Sequence, residues 1–395
     1  MTAPAAPLDA LQILDTILAE ASDGGAALHA LRPDVLAHTR EAYDALYRSP
    51  QPLPTAVLHA LAAVTADWQG SGPLAQWHRS QGAHPALTAA DPLPEDPALA
   101  ALRDHVDLLS LSPALATAAD QERLAAAGHD SRTVVLISQL VAFESHLQRL
   151  VAALAALHGL ETPSADAPVR VPRSHGRSAQ HGGTTPAGRT RPASFTREQL
   201  QWEPWIEVPA EDELTEEQRD SFASKATTNS VYFRLLSLTP ALTKARSALD
   251  NAIFLPRDGL PKAERELAAA ATSKVNDCIY CASVHARKAA ALSRRELAVD
   301  TLLAAELQRD GDWISADLSP LGVGQDARWA AIVTAAAEIS RPRPGALPID
   351  RLRAQGLDDA QILDLLTAAG FFAWANRLML SLGDPSLPDA ERAVA

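Results

Sequence analysis

The stretch ELAAAATSKVNDCIYCASVH, Glu266–His285, holds both cysteines of a 395-residue chain. Its first part is an alanine-rich run with good helix propensity. Asn276-Asp277 interrupts the run, and apolar residues return at helical spacing afterwards. The stretch therefore reads as helix, tight turn, helix. Pro261 suits the first position of the earlier helix, which is expected to reach about Val275, and Asn276-Asp277 supplies the turn and cap from which Cys278 opens the next helix. Cys278 and Cys281 are then i, i+3, and Cys281 and His285 are i, i+4. Two thiols and an imidazole share one stripe.

The rest of the chain agrees with helices. Apolar residues are 47% of the sequence and aromatics only 5%, with few β-branched runs, so an all-α fold is expected. The formal charge of −13 repels phosphate backbones and anionic surfaces, which argues against nucleic acid as a partner. Asp9, Asp15 and Glu20 interrupt the N-terminal stretch where a signal peptide would be apolar, so a cytoplasmic location is expected. Val134–Leu157 and Ile362–Leu382 are the most apolar helical stretches. Glu144, His146 and Arg149 in one, and Asp364, Asn376 and Arg377 in the other, argue against a membrane partner.

Between Glu161 and Arg197 the sequence is rich in Pro, Gly, Ser, Thr and Arg and nearly empty of large apolar residues, as in a flexible linker. It separates residues 8–160 from 198–395. These flanks align with each other: Leu31–Thr65 lies over Leu238–Thr272 without a gap at an offset of 238 − 31 = 207. Pro33 meets Pro240, Tyr47 meets Phe254, and His78 meets His285. A later pair matches Phe143 to Phe371 and Arg149 to Arg377. Two tandem copies of one helical domain are expected. At the same offset Ser71 stands for Cys278, Leu74 for Cys281 and His59 for Glu266, so only the second copy keeps the thiols. Arg149 and Arg377 read as packing anchors, and Trp202 and Trp205 as a clamp on the entry to the second domain.

Each group in the constellation has chemistry its position would serve. The first turn of a helix favours the thiolate over the thiol, whose ordinary pKa is about 8.5. By that argument alone Cys278 is the more acidic. A second sulfur one turn away can condense with a sulfenic acid to a disulfide, and His285 can move protons near neutral pH. Glu266, on the preceding helix, could orient the imidazole.

Glu266, eleven residues, Cys278, two residues, Cys281, three residues, His285: this pattern resembles the alkylhydroperoxidase D branch of the carboxymuconolactone decarboxylase superfamily. The flanks YFRLLSLTPAL and GLDDAQILDLLTAAGFFAWANRL are similar to the family's neighbouring helices. The resemblance covers Glu198 to about Asp384, with a degenerate copy in residues 8–160. One departure is Tyr280, where the best-known members have a second histidine. The resemblance implies an oligomerising helical fold and thiol-dependent reduction of hydroperoxides. Cys281 would be peroxidatic, Cys278 resolving, and His285 and Glu266 a proton relay. It needs no cofactor beyond the Cys278–Cys281 disulfide and an external dithiol or lipoylated electron donor. A trimer of two-domain chains would have pseudo-sixfold character.

Other readings of the same residues are a zinc or iron site, a thioredoxin-like redox motif, a decarboxylase or lactone-processing enzyme, and a non-catalytic redox sensor or assembly protein. The thioredoxin reading needs alternating strands and helices that this sequence lacks.

Overall fold

A computed structural model describes residues 32–88, 94–159, 182–223 and 225–388. It is all-α, with two short strands as its only sheet among the described residues. The longer helices of the first half are α1 (Pro33–Tyr47), α2 (Thr55–Trp68), α3 (Gly72–Ser80), α4 (Pro97–Leu111), α5 (Ala118–Ala126) and α6 (Ser131–Leu157). Strand β1 (Gln201–Pro204) follows. Then come α7 (Pro240–Phe254), α8 (Lys262–Val275), α9 (Ile279–Ser293), α10 (Glu296–Ala304), α11 (Ala327–Ser340), α12 (Asp359–Leu382) and β2 (Gly383–Ser386). Aspartates cap several of them: Asp96, Asp130, Asp326 and Asp358 each accept a backbone N–H from the first turn of the helix that follows.

The repeat register is visible in the backbone. Helices α7 and α8 begin and end 207 positions after α1 and α2, and α9 begins 207 after α3 (240 − 33, 262 − 55 and 279 − 72). Equivalent helices also pack on each other, α1 against α7 and α6 against α12. The halves are thus intimately joined through like elements.

The helices α6 and α12 form the centre. Their most apolar windows are 94% and 100% buried within the chain, although each helix is long and apolar enough to span a bilayer. Gly370 allows the close approach, because a Cβ there would lie 3.2 Å from the Arg149 Cβ. Several polar residues of this core are bonded across the halves. Arg149 Nη2 donates to the Arg341 carbonyl at 2.8 Å, and Arg377 donates from Nε to Leu109 and from Nη2 to Ser110, both at 3.0 Å. Trp374 Nε1 donates to Gln139 Oε1 at 2.7 Å.

The stretch read as a flexible linker lies only partly within the described residues, since 160–181 are outside them. Residues 182–197 differ from that expectation. Thr184 bridges to Thr190, Arg191 donates to Asp384 Oδ2 at 2.7 Å, and Arg197 pairs with Asp300 at 2.6 Å. Poverty in apolar side chains was no bar to order here, because arginines and backbone groups find partners on the second half. Strand β1 pairs antiparallel with β2. Trp202 donates to the Met379 carbonyl and Trp205 to Asp384, fixing the chain entry against the end of α12.

Candidate active site

Two devices set the α8–α9 hairpin. Before α8, Asp364 of α12 accepts from the Leu260 N–H and from Arg265 Nη2, both at 2.8 Å, and from Arg32 Nε at 2.5 Å. Gly259 is left-handed there (φ +75°), and a Cβ would collide with the Asp364 and Arg32 side chains, so a larger residue would strain the turn and displace this ion pair. Pro261 is the N-cap residue rather than the first helical one. After α8 the chain makes a Schellman turn. The N–H of Cys278 reaches the Ser273 carbonyl at 2.8 Å, and Asp277 takes the left-handed position (φ 60°). Asp277 therefore ends α8 instead of capping α9. Its carboxylate accepts from Trp313 Nε1 at 2.7 Å and faces Arg309, while Cys278 itself is the N-cap of α9. Asn276 donates to Asn376 Oδ1 and Asn376 to Ser273 Oγ, tying the turn to α12.

The hairpin brings Glu266 to His285, with Oε2 at 2.6 Å from Nδ1. A carboxylate only accepts, so Nδ1 is the donor in this bond, and Nε2 is the ring nitrogen left to exchange a proton. No described residue hydrogen-bonds to Nε2. Phe372 stands edge-on to the imidazole, centroids 4.3 Å apart, and Phe254 flanks it at 6.0 Å. Burial works to raise the Glu266 carboxyl. The hydrogen bond from His285 and the charges of His285, Lys288 and Lys262 outweigh it, leaving the pKa below its usual value.

Both cysteines are reduced and buried, Cys278 at 2% exposure and Cys281 at 5%. Burial raises the Cys278 thiol well above its usual pKa, followed by its hydrogen bond to the Cys281 sulfur and the charge there. The Cys281 backbone N–H acts in the opposite sense and is too weak to reverse this. Desolvation overrides the helix dipole that made Cys278 the more acidic thiol on sequence grounds. Cys278 is the proton donor of the pair.

Three neighbours escaped the sequence reading. Tyr232, from the short helix Val231–Leu236, is electrostatically coupled to Arg246, Cys281, Asp250 and Cys278. Arg246 of α7 is 3% exposed, yet its Nε and Nη1 have no hydrogen-bond partner among the described residues. Its guanidinium lies over the Phe371 ring at 4.9 Å. Asp250, one turn further, is pushed up by burial against the influence of Arg246, His285 and Lys288. Arg246 interrupts the buried stripe Leu242, Ala245, Leu249, Ile253 of α7, and that charge in an apolar stripe was the available signal. Among the described residues no group of three or more His, Cys, Asp or Glu side chains is arranged to hold a metal ion.

At the corresponding place in the first half the chemistry is closed off. Ser71 repeats the turn of Cys278, its N–H reaching the Ala66 carbonyl at 2.8 Å with Gly70 left-handed. His78 meets His59 through Nδ1 at 3.0 Å, where His285 meets Glu266. Glu144 of α6 sits at 3.2 Å from His78 Nε2 and accepts from Tyr47 at 2.5 Å, all fully or nearly buried. The nitrogen left open in His285 is occupied in His78.

Comparison with known families matches residues 240–308 to the carboxymuconolactone decarboxylase family, a stretch that contains Arg246, Glu266, Cys278, Cys281 and His285. The match does not extend to the first half. A comparison with curated proteins returns no match.

Proposed function

We propose that the protein is a thiol-dependent peroxidase acting on organic hydroperoxides. The observation that carries this reading is the Glu266–His285 pair, with an unbonded Nε2 on His285, which shares α9 with Cys281 and with Cys278 at its N-cap. The family match supports an enzyme of this general kind. In the proposed cycle His285 accepts the Cys281 proton, and the thiolate attacks one oxygen of ROOH. The O–O bond breaks, an S–O bond forms, and the alkoxide leaves as ROH with the proton returned by His285. Cys278 then attacks the sulfenic sulfur, releasing water and forming the Cys278–Cys281 disulfide. Two electrons from an external dithiol restore the pair.

In this reading the first half is a thiol-less copy, and its occupied His78 supports a scaffolding role. Oligomerisation into a trimer of chains belongs to the same proposal, and light scattering at micromolar concentration tests it, a monomer being the contrary result. Steady turnover of cumene hydroperoxide with dithiothreitol tests the activity. A single oxidation without turnover would instead fit a redox sensor.

A further inference from the structure

Arg246 raises a question that the peroxide chemistry does not answer. A guanidinium taken out of water needs paired carboxylates or several carbonyl oxygens, and leaving it alone is strongly unfavourable. Arg149 meets this need at both Nη groups and Arg377 at Nε and both Nη groups, with carbonyls around them. Among the described residues Arg246 has no hydrogen-bond partner and no ion-pair partner. Asp250 lies one turn along the same helix without closing a bridge to it, and only the faces of Phe371 and Tyr232 contact the cation. The Tyr232 hydroxyl is likewise buried and unpartnered. This phenol is coupled to Arg246 on one side and to both thiols on the other. Two unused donor groups thus lie together, the guanidinium carbon 5.8 Å from the centre of the Tyr232 ring, with the phenol in electrostatic reach of both thiols. The apolar surface around them is Phe254, Phe371 and Phe372, and the partly exposed members are His285 and Asp250.

We propose that Arg246 and the Tyr232 hydroxyl receive the carboxylate of an anionic organic hydroperoxide, whose apolar body lies on the phenylalanines and whose peroxide end reaches Cys281. This substrate class rests on the peroxidase reading above. The carboxylate would accept from Nε and Nη2 in the side-on bidentate manner that Asp300 uses with Arg197, with the phenol as third donor. Such charge-assisted bonds would make an acid bind on the order of tenfold or more tighter than a neutral analogue.

The test is calorimetric binding of decanoate and of decanol to the reduced full chain, in wild type, Arg246→Gln, Arg246→Lys and Tyr232→Phe. The expected result is a preference for decanoate in wild type that Arg246→Gln abolishes, Arg246→Lys keeps in part and Tyr232→Phe weakens. No preference in wild type, or one that survives Arg246→Gln, would overturn the proposal; in the second case another group, such as an acid on a second copy of the chain, holds the cation. Should circular dichroism show Arg246→Gln unfolded, the Tyr232→Phe variant decides, and an unchanged decanoate affinity there counts against the site. Cumene hydroperoxide carries no carboxylate and tests the peroxidase reading separately. Thiol loss to it without any decanoate preference rejects the subsite alone. Decanoate preference without thiol loss rejects the hydroperoxide as occupant.

Discussion

Arg149 and Arg377 stand at matched positions of the two central helices, and each reaches across into the other half: Arg149 to the carbonyls of Ser340 and Arg341, Arg377 to those of Leu109 and Ser110. Each thereby satisfies the C-terminal carbonyls of a helix in the opposite half, α11 or α4, where a cation is also favoured by the dipole. Burial pulls both guanidinium pKa values down, Arg149 to about 9, and the carbonyl cages offset that penalty.

Replacing either arginine should therefore loosen both halves together. Arg377→Met is expected to cost about 2–4 kcal/mol, the scale of several buried hydrogen bonds to a charged group. Scanning calorimetry should show one transition at lower temperature. Two resolved transitions, or an unchanged midpoint, would show that the halves do not depend on this exchange.

Acid should destabilise the fold before carboxylates titrate. His59, His105 and His146 are buried, and desolvation first of all lowers them to about 3, 4 and 4, from 6.5 when unfolded. The unfolded chain then binds more protons, so their contribution is fully present above pH 6.5 and is lost as pH falls toward 4 and 3. Each can contribute up to about 1.4 kcal/mol per pH unit in that window. Urea melts at pH 7 and pH 5 measure the loss, and equal midpoints would contradict neutral burial.

The sequence showed the thiol stripe because Cys278, Cys281 and His285 are local, and helical periodicity alone places them on one face. Glu266 was legible as a candidate, but its 2.6 Å bond to His285 depends on the turn that Asp277 and Asn276 set. Arg246 and Tyr232 were hidden because their relation to the thiols is tertiary: α7 and α9 both pack on α12, which sequence spacing does not reveal. The dipole at Cys278 was legible in the sequence, but the burial that raises its thiol was not.

Removing the charge that orients His285 should slow the thiol chemistry. Glu266→Gln keeps the size of the side chain and is expected to lower the rate of peroxide-dependent thiol loss by about 10–100-fold, within the range of general acid–base catalysis. Stopped-flow tryptophan fluorescence reads the rate, and a variant as fast as wild type would remove Glu266 from the relay.

Adding thiols to the first half should not create a second centre. In Ser71→Cys with Leu74→Cys, the new thiols would lie at the places of Cys278 and Cys281, but Glu144 still occupies His78 Nε2. Rapid loss of the original pair alone is expected on peroxide addition, counted with a thiol reagent. Equally fast loss of both pairs would mean that the open nitrogen of His285 is not what distinguishes the halves.

The most direct test of the central claim is a count of free thiols in the reduced protein before and after one equivalent of cumene hydroperoxide, in wild type and Cys281→Ser. The expected result is rapid loss of both thiols in wild type and survival of the Cys278 thiol in the variant. If both wild-type thiols outlast the peroxide, the site does not perform this chemistry.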